Sequence, residues 1–248
     1  ARVGRQIAFS LDSTASRAEH SLTHDKPRFA FFQVFQPRGG GKRQAPTFDV
    51  IAPGVAKHEE EIVLAPGAEP AADPNLVLRV AVAAAEFGLP IAPGTLRNLK
   101  KCPIGDRNWT GESRELFIRL LASGPALLNV WEDIDFIDVP GKLIPEWLGV
   151  RNRPSASAAH RYTIDRHMVE VVTRLGRETP SGGRYDDRHY EALLLAGILH
   201  DIGKRPGVAN HAAEGARHAT VVVERMGFDR DIVRWVTLLV REHLTLSE

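Results

Sequence analysis

The sequence has little of several features that would assign it to a class at once. It contains a single cysteine, Cys102, among 248 residues, which excludes an intramolecular disulfide framework and fits a reducing cytosol. The formal net charge is +1, so no overall field attracts nucleic acid or a membrane surface. The apolar runs are too short to span a bilayer, and no signal peptide opens the chain. We therefore expect a cytoplasmic protein with neither nucleic acid nor a membrane as partner. Because the first residue is Ala1, we also expect a piece of a longer protein.

The apolar residues that are present, 43% of the chain, can build a sizeable core. Proline and glycine interrupt the first part, so we predict a weakly structured linker over 1–72, with two short strands around a polar turn within 47–65. A helical linker domain is predicted over 73–150. The small, polar segment 149–158 marks a boundary, and beyond it 151–248 is predicted to form a second, all-helical domain. The fold class is therefore mainly α with a short β element.

Apolar residues at helical spacing predict the individual helices. Asp73-Pro74 is a typical helix start, Gly88 a typical stop, and Asp229 a typical cap. The predicted helices cover about 73–88, 93–101, 112–123, 125–138, 164–177, 187–200, 208–227 and 229–243.

The most informative feature is a run of leucines and isoleucines that ends in His200 and Asp201. His167 lies in the first turn of the preceding predicted helix, His211 near the start of the following one, and His243 at the end of the last. Four helices packed as a bundle can bring such ends together around one cavity. Neutral imidazoles with a carboxylate suit a divalent transition metal.

Four motifs and one preceding segment carry a resemblance to a known family. They are His160–His167, Leu199–Lys204, His211–Ala216, Val240–Leu244 and the segment Leu143–Pro154. On these residues the chain resembles the HD phosphohydrolase superfamily. Within it, the chain is most similar to the linker and HD region of the bacterial bifunctional PII uridylyltransferase/uridylyl-removing enzymes. The resemblance covers roughly 73–248, and it implies that 151–248 is an HD domain, truncated at its C-terminus.

The resemblance implies His167, His200 and Asp201 as metal ligands, with His211 and His243 completing the site as in binuclear relatives. It implies a divalent metal, with Mg, Mn, Fe and Zn left undistinguished, and a further aspartate ligand expected beyond Glu248, so we expect the isolated chain to be a poor catalyst. The implied reaction is hydrolysis of the phosphodiester that joins UMP to a tyrosine of the PII signal protein, so PII would be both substrate and partner.

Two residues have catalytic roles in this hypothesis. Asp201 could orient the attacking water as well as bind metal. Lys204 is the candidate to contact a phosphate oxygen, although a lysine at this position could equally compensate the dipole at a helix C-terminus. Arg205, next along the chain, is expected at the surface, and His218 is expected to be exposed.

Other hypotheses remain open from the sequence. The chain could be an HD hydrolase of a nucleotide, such as guanosine tetraphosphate, or a degenerate HD module that binds and regulates without catalysis. Asp133 and Asp135 have the spacing of a nucleotidyltransferase carboxylate pair but no Gly-Ser loop before them, so we predict a solvated helix face. Trp131 and Trp147 are predicted in the core. The oligomeric state is open.

Overall fold

The computed structural model describes residues 47–105, 109–154, 162–176 and 187–245. The predictions for most of the front of the chain, for His160 and for the loop 178–186 lie outside the described residues. Within them the fold is mainly α with a short β element, which confirms the predicted fold class.

The β element is an antiparallel sheet with β1 (Asp49–Ala52), β2 (Val55–His58) and β3 (Glu61–Leu64) in sequence order. A polar turn at Glu59 and Glu60 joins β2 to β3, where His58 pairs with Glu61. The two predicted strands, around Val50 and Ile51 and over Ile62 to Leu64, correspond to β1 and β3, and the prediction missed β2 between them. Gly54, with φ +76°, allows the tight turn from β1 into β2.

The helices before residue 150 pack on this sheet and on one another. They are α1 (Leu76–Phe87), α2 (Pro93–Leu99), α3 (Gly111–Leu121), α4 (Ala126–Phe136) and α5 (Val139–Leu143), followed by a 3-10 turn (Pro145–Gly149). The predicted start at Asp73-Pro74 was wrong, because α1 begins only at Leu76. The Asp73 carboxylate instead accepts the Asn75 N–H at 3.0 Å and pairs with Arg79.

The helices after residue 150 match the predicted ones except for up to three residues at their ends. They are α6 (Ile164–Leu175), α7 (Asp187–Leu199), α8 (His211–Arg225) and α9 (Arg230–Arg241). α7 packs against α6, α8 and α9, and α9 also packs along α8. The predicted cap is present, since the Asp229 carboxylate accepts the N–H groups of Asp231 and Ile232. None of the described helices is long and apolar enough to cross a membrane.

One hydrophobic core joins the parts of the chain before and after residue 150. Trp131 and Trp147 lie inside it as expected, with ring centroids 5.4 Å apart in an edge-to-face arrangement. Packing of α4 on α6, and of α3 on α7, extends this core across the predicted domain boundary. The division into 1–72, 73–150 and 151–248 therefore stays a prediction.

The solvated helix face predicted around Asp133 and Asp135 was wrong for Asp135. This residue is buried, and its carboxylate faces the Arg151 Nε at 2.9 Å. The Arg151 guanidinium also pairs with Asp138 at 2.6 Å. A buried carboxylate needs such a partner, and the pairing fixes the segment that leads into α6.

Candidate metal centre

His200 and Asp201 lie in the turn that ends α7. The Ile202 N–H donates to the Leu199 carbonyl at 3.0 Å, and the Lys204 N–H donates to the Asp201 carbonyl at 2.9 Å. Ile202 is buried in the core, so the turn is anchored and the Asp201 side chain points inward with 1% exposure.

A close backbone approach places α8 against this turn. A Cβ at Gly203 would lie 2.3 Å from both the Gly215 nitrogen and the His211 carbonyl oxygen. Only a residue without a side chain allows this separation. The Asn210 carboxamide caps α8 by accepting the Ala213 N–H at 2.9 Å. As a result the first turn of α8 presents His211 to Asp201.

All the predicted ligands converge on the Asp201 carboxylate. One oxygen, Oδ2, lies 3.4 Å from His200 Nε2 and 3.9 Å from His167 Nε2. The other, Oδ1, lies 3.5 Å from His243 Nε2 and 4.0 Å from His211 Nε2. The potential ligand atoms form two groups of three that share Asp201, and within each group they lie within 4.8 Å of one another.

Backbone carbonyls orient two of these imidazoles. His200 Nδ1 lies 2.8 Å from the Gly197 carbonyl oxygen, and His243 Nδ1 lies 2.7 Å from that of Val240. A carbonyl only accepts, so each Nδ1 must carry a hydrogen. In the neutral ring, Nε2 then presents its lone pair to the Asp201 carboxylate, which is unfavourable unless a proton or a metal cation lies between them.

Buried polar atoms without a partner also indicate a cation bound at Asp201. Among the described residues, Asp201 Oδ1, His211 Nε2 and His243 Nε2 are buried without a hydrogen-bond partner. Buried polar atoms of this kind require an explanation, and a bound ion is one. In each group of three, two imidazole nitrogens and a carboxylate oxygen are donors that Zn²⁺, Fe²⁺ or Mn²⁺ accepts. The residues present therefore fit a divalent metal.

The charges agree with this assignment. Burial by itself raises the pKa of the Asp201 carboxyl, but contacts with His200, His243 and Lys204 outweigh burial and hold that pKa well below its usual range. The interaction with Asp201 raises the pKa of His243, whereas burial, with the positive charge of Lys204, lowers the pKa of His211. Asp201 is thus a carboxylate at every physiological pH.

Lys204 contacts the site directly. Its Nζ donates to Asp201 Oδ2 at 2.8 Å, to the same oxygen that His167 and His200 face. Its side chain is 23% exposed, so the ammonium lies between the buried carboxylate and solvent.

Sequence reasoning missed the groups that orient the ligands. Asp165 is buried and accepts the N–H of Asn152 at 2.8 Å and that of Arg166 at 3.0 Å, which holds the segment 151–154 against the first turn of α6, where His167 lies. The carbonyls of Gly197 and Val240 were also missed. A sequence signal exists for the carbonyls, because His200 and His243 each follow their acceptor by three residues at a helix end.

The helices bring four histidines around one buried aspartate. Comparison with known proteins points to one group of enzymes. No family model matches the chain. The chain is 36% identical over 247 residues, 98% of its length, to the bifunctional uridylyltransferase/uridylyl-removing enzyme of Streptomyces coelicolor, of which the match covers 28%.

Two further relatives bear the same name. The enzyme of Mycobacterium tuberculosis strain H37Rv is 39% identical over 78% of this chain and 23% of its own length. That of Corynebacterium glutamicum is 32% identical over 71% of this chain and 25% of its own length. The chain is therefore homologous to part of the bacterial bifunctional uridylyltransferase/uridylyl-removing enzymes, which confirms the resemblance found in the sequence. It spans about a quarter of the length of these relatives.

Proposed function

We propose that this chain carries the uridylyl-removing activity named in its relatives. It would hydrolyse, in the cytoplasm and with a divalent metal, the phosphodiester that joins UMP to a tyrosine of the PII signal protein. One observation carries the proposal: four imidazoles from separate helices converge on a single buried carboxylate.

The metal would be held by His167, His200 and Asp201 on one side and by His211 and His243, with the shared Asp201, on the other. A divalent ion bound there would lower the pKa of a water molecule and neutralise phosphoryl charge. This suits a phosphodiester, because its negative oxygens repel an unassisted nucleophile.

The residues of the chain have defined parts in this reaction. Asp201 stays ionised and accepts a hydrogen bond from Lys204, so it can orient a water molecule at the buried end of the site. The Lys204 ammonium lies nearer to solvent and can offset the charge of the substrate phosphate. The carbonyls of Gly197 and Val240 keep two imidazoles in the tautomer with a free Nε2 lone pair.

The other activity named in the relatives, uridylyl transfer, finds less support in the described residues. Nucleotidyl transfer needs carboxylates free to hold Mg²⁺ and a triphosphate. The spacing of Asp133 and Asp135 is suitable, but the Asp135 carboxylate is buried against Arg151. This pairing supports assigning the hydrolytic half of the reaction pair to this chain.

The test is an assay of UMP release from uridylylated PII, after removal of metal by a chelator and after resupply of Mg²⁺, Mn²⁺, Fe²⁺ or Zn²⁺ singly. We expect no release without metal and release with at least one of these ions. Nucleoside triphosphates and guanosine tetraphosphate serve as alternative substrates. Hydrolysis of these nucleotides alone would favour the hypothesis of an HD hydrolase that acts on nucleotides. PII binding without any hydrolysis would favour a regulatory module.

A further inference from the structure

Arg205, predicted at the surface, is only partly exposed, because its guanidinium packs against Gly149. A Cβ built at Gly149 would lie 2.6 Å from Arg205 Nε and 2.7 Å from its Cζ. One terminal nitrogen of Arg205 donates to the Glu146 carbonyl oxygen at 2.9 Å. The loop after Asp201 is therefore joined to the 3-10 turn, across 59 residues of sequence.

Glu146 is held from a second direction. Its carboxylate accepts two hydrogen bonds from Arg225 of α8, at 2.9 and 2.6 Å, a bidentate pairing of the strongest kind available to side chains. The 3-10 turn is itself anchored by Trp147, which is buried in the core. Arg205 therefore binds to a rigid surface rather than to another loop.

The attachment bears on the metal centre because Arg205 follows Lys204 directly. The Arg205 N–H donates to the Gly203 carbonyl at 2.8 Å, and the Val208 N–H donates to the Arg205 carbonyl at 3.2 Å. Between Gly203 and Val208, the Arg205 side chain is the polar group that joins this loop to the helices before residue 150. Holding its guanidinium limits where the neighbouring Lys204 ammonium can go.

We propose that Arg205 is a positioning residue that acts through Lys204: docked on Gly149 and the Glu146 carbonyl, it holds the Lys204 ammonium on Asp201. The role in catalysis rests on the proposed function, but the attachment itself does not.

Gly149→Ala tests the attachment without removing any charge. Gly149 does not have a positive φ, so alanine fits its backbone, and the three atoms nearest to the new Cβ all belong to the guanidinium of Arg205. A guanidinium at the end of a flexible side chain can move away. Arg205→Ala removes the same contact from the other side. Arg217→Ala is the matched control, because Arg217 is an exposed arginine of α8 that pairs with Glu214.

The first readout is hydrogen–deuterium exchange of the segment 202–208 in the metal-free protein. We expect Gly149→Ala and Arg205→Ala each to raise exchange there by about tenfold, because a charge-assisted hydrogen bond is lost, with the helices unchanged. The double variant should exchange no faster than Arg205→Ala alone. Exchange at the wild-type rate in Gly149→Ala, or additive increases in the double variant, would overturn the attachment.

The second readout is the kinetics of UMP release. We expect kcat to fall by about three- to tenfold in both variants with KM nearly unchanged, and Arg205→Ala to cause no further loss in a Lys204→Ala background. A further loss in that background would overturn the action through Lys204. If the wild type released no UMP, the proposed function would fail while the exchange experiment still decided whether Arg205 holds the loop.

Discussion

Asp135 in α4 and Asp201 after α7 are both buried carboxylates, but they meet different partners. Asp135 faces the Arg151 guanidinium, with Nε at 2.9 Å. Asp201 faces four imidazole nitrogens between 3.4 and 4.0 Å and the Lys204 ammonium at 2.8 Å. A guanidinium stays charged at any physiological pH, so Asp135 is neutralised permanently. Imidazole nitrogens carry lone pairs that a cation can accept.

Burial therefore does not distinguish a structural carboxylate from a metal-binding one. The surrounding groups make the difference. In a structural site they only pair with the carboxylate, whereas in a metal site they also direct unsatisfied lone pairs towards it. The region before residue 150 uses its buried charge to hold the chain together, whereas the region after it surrounds its buried charge with imidazole nitrogens that a cation can bind.

The largest effect is expected from removing the His-Asp pair. His200→Ala with Asp201→Ala should abolish metal binding and lower UMP release by on the order of 1000-fold or more, because both groups of ligands lose Asp201. Metal titration and the UMP assay measure this, and circular dichroism should show unchanged helicity. Retention of hydrolysis by the double variant would mean that the reaction takes place elsewhere.

Replacing Asp135 should lower the stability of the protein but leave its metal binding unchanged. Asp135→Asn is expected to lower the free energy of unfolding by about 3 kcal/mol, because Arg151 keeps a buried charge with one fewer partner. Denaturant unfolding measures it, and metal affinity of the folded protein should not change. Asp138→Asn is the control, since Asp138 is half-exposed and asparagine tolerates its φ of +64°, so a loss below about 1 kcal/mol is expected. A loss of stability from Asp138→Asn larger than that from Asp135→Asn would contradict the assignment of Asp135 as the buried partner that matters for Arg151.

The contact between α8 and the turn that follows α7 offers a test of the Asp201 site with a smaller expected effect. Gly203→Ala should lower the free energy of unfolding by about 2 kcal/mol, because its Cβ would displace the backbone of Gly215, and should weaken metal binding through His211. Unfolding and metal titration measure the two effects. Gly94→Ala is the control, since its Cβ would contact nothing closer than 3.7 Å. Unchanged metal affinity in Gly203→Ala would show that His211 is not a ligand.

The smallest expected effect is a pH dependence of the stability of the metal-free protein. The pKa of His243 is raised in the folded state, so its protonated form contributes stability below about pH 6.5, and this is lost as pH rises through the folded pKa. The free energy of unfolding of the wild type relative to His243→Gln should therefore decline as pH rises above about 6.5. Metal affinity should increase over the same range, because the metal competes with a proton.

The Asp135 site should lack this dependence, because burial lowers the pKa of the Arg151 guanidinium less than its contacts with Asp138 and Asp135 raise it, so Arg151 stays charged. Parallel stability profiles of the wild type and His243→Gln would contradict the assigned contact between His243 and Asp201.

Much of the helical framework could be predicted from the sequence. Apolar residues at helical spacing, with caps such as Asp229, define α6 to α9, because their local preferences agree with their packing. The start of α1 was misplaced because Asp73 pairs with Arg79, a contact that competes with capping. β2 was missed because it reads Val-Ala-Lys-His, in which only Val55 has a strong strand preference.

The residues of the candidate site could also be predicted from the sequence, since the five residues of the resemblance are the ones that the fold brings together. The groups that surround the buried charges could not be predicted. Asp135 and Arg205 look like surface residues in sequence, because nothing local indicates that Arg151 or Gly149 will meet them.

The sequence by itself determined where the helices run and which residue types can bind a cation. Only the tertiary structure decided that Nε2, rather than Nδ1, of His200 and His243 faces Asp201, that Gly203 lets α8 approach, and that the Arg205 guanidinium donates to the Glu146 carbonyl. Helix formation depends on neighbours within a few residues. The direction of a lone pair, and the distance between groups remote in sequence, depend instead on how the helices pack.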